Sequence, residues 1–226
     1  MGERTMQLKH SLTTWVPGSN PDAAQFGGQP IWDPGSAWPL SAGWDDRPMM
    51  FVCQIPLDLY RFPNAEGKVA YLFVSHYGPG QGPEEFFDPD VIFPDEGENS
   101  LVIQRPRAPQ PASPGGPTLF HDDGTPAVYW TRTTPGHDPD FVSTEDYIQQ
   151  THKEQDAYFD AVDGDKIGGV PAFFQGDNWP DEEHRWHLLL QLHTNVVPFD
   201  LNVGGGTLFA FVDHACTQGR LLVQGT

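Results

Sequence analysis

The apolar residues of this chain fall in short runs separated by glycine, proline and acidic stretches, which is how turn-rich β proteins are punctuated. The pattern predicts strands at 7–16, 49–55, 69–75 and 100–104, and later at 186–192, 207–212 and 221–224. Within 69–74 both parities are apolar, so that strand is expected at the centre of a sheet with both faces covered. Residues 186–192 alternate instead: Leu188, Leu190 and Leu192 form a core face, and His187, Leu189, Gln191 and His193 share the other. Asp123-Gly124 predicts a hairpin turn with a return strand at 127–131. One substantial helix is predicted, from Ser143 as N-cap to about Ala161, stopped by Gly164.

The runs occur twice in the same order. Gly27-Gly28, Pro30 and Trp38-Pro39 recur as Gly168-Gly169, Pro171 and Trp179-Pro180, every one at offset 141. Gln54-Ile55 returns as Gln191-Leu192 at offset 137, residues 71–74 return as 209–212 at offset 138, and 101–104 return as 221–224 at offset 120. Two copies of one supersecondary unit bury their apolar faces against each other. The expected fold is therefore mainly β (a β-rich α+β roll), built from two duplicated β units with one helix before the second. A single compact domain is expected over residues 1–226: repeat 1 at about 7–104, a proline-rich linker at 105–117, a hairpin and helix at 118–165, and repeat 2 at about 166–226.

Charge narrows the partners. With 31 acidic and 12 basic residues the formal net charge is −19, which repels phosphate backbones and argues against nucleic acid. The acid is clustered: residues 84–98 hold seven carboxylates and no base, and 138–165 hold nine with only Lys153 opposing. Both stretches read as solvated loops that maintain solubility, or as a surface for a basic protein partner, with Glu84, Glu85, Asp88 and Asp90 as its candidates. The two cysteines, Cys53 and Cys216, are far apart and imply no disulfide framework, and no apolar stretch has signal-peptide or membrane-span character. A cytoplasmic protein that does not engage membranes is expected.

Candidate chemistry is sparse. Trp38 and Trp179 are expected either to pack as structural lids or to wall a cleft. Gln54 and Gln191 end apolar strands, where each amide either clamps the Gly-Gly turn or contacts a ligand. His187 completes the set of candidate ligand-binding residues. His187 and His193 are about 20 Å apart along an extended strand, too far to share a metal. His184 with His187, and the turn His121-Asp122-Asp123, lack further ligands at a recognisable spacing. No nucleophile, P-loop or metalloprotease motif occurs, so no catalytic residue, metal or cofactor is assigned.

Two segments carry a family resemblance. Residues Lys166-Ile167-Gly168-Gly169-Val170-Pro171, Gln175, Leu188-Leu189-Leu190-Gln191-Leu192 and the glycine-led aromatic strand 207–212 resemble the bacterial YwqG-like family. Phe26-Gly27-Gly28-Gln29-Pro30, Trp38-Pro39 and Phe51-Val52-Cys53-Gln54-Ile55 are their first-half counterparts. The resemblance implies a roll-like, mainly β fold with a duplicated unit, a soluble bacterial origin and no catalytic residues. The association of some relatives with toxin genes implies an immunity-like, partner-neutralising role. This chain departs from the family pattern before the last core strand, where Asn202-Val203-Gly204-Gly205-Gly206 replaces an aromatic, a glycine and an aspartate. The reading that follows is a non-enzymatic protein-binding module with an acidic surface. The alternative is a hydrolase or small-ligand protein with an inter-repeat cleft using Asp177 or Asp181.

Overall fold

The computed structural model describes residues 7–20, 22–31, 33, 35–57, 62, 64–78, 89–105, 116–121 and 123–225. Five strands come from the first part of the chain: β1 (Gln7–Pro17), β2 (Gln25–Gly27), β3 (Met50–Pro56), β4 (Val69–Val74) and β5 (Asn99–Gln104). Five follow: β6 (Val128–Asp138), β7 (Lys166–Gly168), β8 (Trp186–His193), β9 (Gly206–Asp213) and β10 (Gly219–Gly225). They form one sheet in the order β10-β9-β8-β7-β1-β6-β2-β3-β4-β5. Every paired neighbour is antiparallel. Exchanging the first five strands for the last five returns the same order read from the opposite edge, so the sheet has an approximate two-fold axis between β1 and β6. Each half lends its long first strand to the other, because β1 pairs with β7 and β6 pairs with β2.

β6 is longer than the expected return strand at 127–131. It runs 11 residues beside β1 despite Pro135 and Gly136, which lie opposite His10 and Lys9. β2 covers β6 only from Val128 to Trp130. Pro135 therefore sits in a part of β6 with a single strand neighbour, where a missing N–H is tolerated. The expected single helix is also two: α1 (Thr144–Tyr147) and α2 (His152–Val162). Ser143 caps α1 through the Asp146 amide, as read from sequence. Thr151 then opens a new helix with a capping box to Glu154, which ends the first run. The proline-rich linker lies outside the described residues from 106 to 115.

A bulge corrects the predicted faces of β8. The register between β8 and β9 shifts between Leu188 and Leu190, which moves Leu188 to the outer face and Leu189 and Leu190 to the inner one. His187 and His193 thus lie on opposite faces, not the same one. β3 has the matching bulge between Phe51 and Cys53, the positions that correspond to Leu188 and Leu190 in the repeat.

The sheet curls until its two edges meet. The Leu101 side chain of β5 lies where a Cβ on Gly219 of β10 would stand, 1.7 Å from Leu101 Cδ2, and Arg220 Nε is 3.2 Å from Asp95 Oδ1. Inside this nearly closed barrel, Phe26, Val52, Ile55, Leu72 and Val74 share one core with Ile167, Leu190, Leu192, Leu208 and Val212. Outside, each half carries a second apolar layer under its own Gly-Gly loop. Phe51, Tyr71 and Phe73 lie beneath Trp38, and Leu188, Phe209 and Phe211 lie beneath Phe173 and Trp179. Coverage on both faces is why the strands read as unbroken apolar runs.

Candidate functional site

The repeated glycines and glutamines hold these outer loops. Gly27 and Gly168 have φ of 68° and 73°. A Cβ at Gly27 would stand 2.0 Å from the Ala127 carbonyl oxygen, and one at Gly168 would stand 2.9 Å from that of Leu8. Gln54 Oε1 accepts from the Ile31 amide at 2.8 Å, and Gln191 Oε1 accepts from the Ala172 amide at 2.9 Å. These are one bond made twice, since Ile31 and Ala172 stand at the same offset as the Gly-Gly loops that carry them. Gln191 also donates to the Gly164 carbonyl at 2.9 Å. A second tier repeats the device: Gln104 accepts from the Asp33 amide at 3.3 Å and Gln224 from Phe174 at 2.9 Å.

The other predicted site residues are dispersed. Trp38 donates to the Met49 carbonyl at 2.7 Å and packs edge-on against Phe73, while Trp179 packs on Phe211 in the other half. The two indoles do not wall a common cleft. Asp177 binds the backbone and hydroxyl of Thr144 at the start of α1, and Asp181 holds the His184 ring at 3.0 Å. His187 stands beside His214. Glu84, Glu85 and Asp88 lie outside the described residues; Asp90 is half-buried in a short 3-10 turn, Pro89–Ile92.

The second acidic stretch carries α1 and α2, and most of its carboxylates are exposed, but one is buried. Its first member, Asp138, is fully buried between Lys9, 2.5 Å away, and Lys166, 2.7 Å away, and also accepts from the Val170 amide at 2.9 Å. Both lysines reach the end of α2: Lys9 donates to the Ala161 carbonyl at 2.7 Å and Lys166 to that of Val162. Two ammonium groups thus satisfy the negative end of the helix. Burial lowers the Lys166 pKa to about 8 against the upward pull of Asp138. Its remaining donor goes to the Val170 carbonyl at 2.6 Å, so all three N–H bonds are engaged and the amine offers no lone pair.

A concave surface lined by exposed carboxylates lies where one half reaches over the other. Residues 194–205, between β8 and β9, cross the end of β4. There Asn202, at φ 55°, donates through Nδ2 to the Ser75 carbonyl at 3.4 Å, and its amide donates to Asp200 Oδ1 at 2.8 Å. The Tyr77 hydroxyl donates to Asp200 Oδ2. The His76 ring is buried against Tyr77 and Phe120, with centroids at 4.1 and 5.0 Å. His76 Nδ1 accepts from the Gly78 amide at 3.1 Å, which places the ring proton on Nε2, 3.8 Å from Asp200 Oδ2. Burial pushes the His76 pKa down to about 4, with Asp200 opposing and Arg47 assisting, so the ring is neutral near pH 7.

In front of this group opens a cleft of about 630 Å³ lined by His121, Asp123, Val197, Pro198, Phe199 and Asp200. Its far wall is the predicted hairpin turn, in which Asp123 accepts from the Thr125 hydroxyl and amide at 2.6 and 2.9 Å. Those bonds hold the Asp123 carboxyl below its ordinary range. Two carboxylates face the opening, and among the described residues no lysine or arginine lines it. The arrangement is suited to a cation.

The two-fold partner of this junction is closed by the chain itself. Asn64, also at φ 55°, donates to the His214 carbonyl at 2.9 Å, and Lys68 Nζ binds the carbonyls of Ala215 and Cys216 at 3.0 and 2.8 Å. The sequence carried this signal: Asn202 follows Asn64, and His214 follows His76, at offset 138, that of the neighbouring strands. Among the described residues no group of three or more His, Cys, Asp or Glu is placed to hold a metal ion, and no helix is long and apolar enough to cross a membrane.

No curated protein matches the chain. Residues 24–212, which span the sheet from just before β2 to near the end of β9, match a family described as a domain of unknown function, DUF1963. The chain belongs to that family.

Proposed function

We propose that this protein is a non-enzymatic binding module that engages a basic partner, and that the acidic cleft between its halves receives a lysine or arginine side chain of that partner. The observation that carries the reading is the pair Asp123 and Asp200 facing one opening that, among the described residues, no lysine or arginine lines. A net charge of −19 favours the encounter at long range. The resemblance to the YwqG-like family, some of whose relatives are associated with toxin genes, points to an immunity-like role and supports the same reading. A Lys/Arg-rich peptide titrated by calorimetry should bind at low salt and weaken as salt rises, and D123N/D200N should lose that binding. Equal binding by wild type and the double variant would overturn the assignment.

The same cleft accommodates a second reading, a small cationic metabolite, because its volume is that of a ligand pocket. Free arginine or a polyamine binding as tightly as the peptide would favour it.

A further inference from the structure

The other end of the barrel carries a pair of imidazoles that the cleft does not use. His187 Nε2 and His214 Nδ1 are 3.1 Å apart, with ring centroids at 5.4 Å and planes tilted by 32°. Both are anchored on paired backbone. His187 lies opposite Val212 across β8 and β9, and the His214 amide continues that pairing to the Arg185 carbonyl at 2.9 Å. Asn64 fixes His214 from the other half by binding its carbonyl.

The duplication shows what the fold requires at this place. Met50 lies opposite Val74 beside the first-half bulge, as His187 lies opposite Val212 beside the second. Met50 is buried in the shared core, so an apolar side chain meets the structural need there. The imidazole of His187 is an addition in the second half, and it points at a second imidazole on the adjoining strand end.

We propose that His187 and His214 together bind a divalent transition-metal ion, with the other coordination positions open to water or to a donor from another molecule. Nitrogens bound at about 2.0–2.1 Å and subtending a right or tetrahedral angle are about 2.9–3.4 Å apart. The observed separation falls in that range without movement of either strand. The donor set selects the ion. Two imidazoles suit Zn²⁺, Cu²⁺ or Ni²⁺, whereas Ca²⁺ and Mg²⁺ need oxygen ligands. The neighbouring Asp213 carboxylate is engaged by the Thr217 hydroxyl and amide at 2.8 and 2.7 Å and is not a third ligand. Burial, with Arg185 nearby, lowers the His187 pKa and so favours the neutral ring that ligates metals.

The test uses the full chain with Zn²⁺ and Cu²⁺ as probes. Zinc should shift the ring ¹⁵N resonances of His187 and His214 reversibly on chelation, and Cu²⁺ should give an EPR signal with two nitrogen ligands. H187M introduces the residue that the first half uses at the same place, so it should fold as wild type does while losing roughly tenfold or more in affinity. H214N, altered at an exposed position, should do the same. Affinity unchanged in both variants, or wild-type resonances that ignore zinc, would overturn the proposal and leave the pair as an imidazole-to-imidazole hydrogen bond.

Discussion

The two junctions at which one half of the molecule reaches over the other share a backbone and differ in charge. Each uses an asparagine at φ 55° to clamp the opposite half: Asn64 onto His214 and Asn202 onto Ser75. At the first, Lys68 covers the carbonyls of Ala215 and Cys216. At the second, the position that corresponds to Lys68 is Gly206, and a carboxylate, Asp200, meets a phenol and a neutral buried histidine. Features common to both junctions belong to the architecture, and features of only one are free to serve binding. On that criterion the Gln54 and Gln191 clamps are structural, and Asp200, Asp123 and His187 are the residues that the fold does not need; His214 has a first-half counterpart in His76, and what differs is the imidazole of His187 set against it.

The largest test of this asymmetry is in the centre of the sheet. Gln25, which corresponds to Lys166, makes a neutral bond to the Gly27 carbonyl at 3.1 Å, whereas Lys166 sits in a buried ion cluster. Asp138→Asn leaves two ammonium groups with a lost counter-charge and should cost about 3–5 kcal/mol in urea unfolding. Gln25→Leu should cost about 1 kcal/mol. Equal losses would mean that the charge in the second half has no special weight.

The glutamine clamps should come next. Gln191→Leu and Gln54→Leu should each lower stability by about 1–3 kcal/mol, with Gln191 the costlier because it holds both the Ala172 amide and the Gly164 carbonyl. Wild-type melting in both variants would recast them as ligand contacts.

A smaller effect concerns pH. His193 lies between Asp165 and Asp163, at 3.2 and 3.0 Å, and its pKa is raised, chiefly by the bond to Asp165. A raised folded-state pKa gives stability that is full below the unfolded histidine value and lost as pH rises through the folded one. The corresponding first-half residue is Pro56, so only the second half has this dependence. His193→Asn should remove a loss of stability above about pH 6.5. An unchanged stability–pH curve would show that the ring contributes nothing.

The least effect on folding is expected at Asp200. D200N keeps an acceptor for the Asn202 amide, and the Tyr77 hydroxyl can turn to accept from the new side-chain NH2, so it should melt close to wild type, while K68M should lose about 1 kcal/mol and leave peptide binding intact. Loss of peptide binding in K68M would show that the two junctions are not separate in function.

Much of the fold could be read from the chain because doubly covered strands leave unbroken apolar runs and because duplication repeats them at nearly constant offsets. The strand at Val69–Val74 is the plainest case. What escaped involved local signals overruled by tertiary pairing. The return strand expected at 127–131 stops short of Pro135-Gly136, yet β6 continues through that pair beside β1. The bulge at Leu188 inverts the face of every residue upstream, and no periodicity reveals one inserted residue. Thr151 divides the helix with a capping box that the apolar pattern hid. The cleft was the hardest to see, since Asp123 and Asp200 are far apart in sequence and meet only because a loop from one half lies on the other.

The most direct test of the account is the map of amide shifts in ¹⁵N-labelled protein titrated with a Lys/Arg-rich peptide at low salt. The account predicts saturable shifts at His121, Asp123, Val197, Phe199 and Asp200, and none at Asn64, Lys68 and His214. Shifts centred on the Lys68 junction or on the Trp179 loop, with the cleft silent, would contradict it.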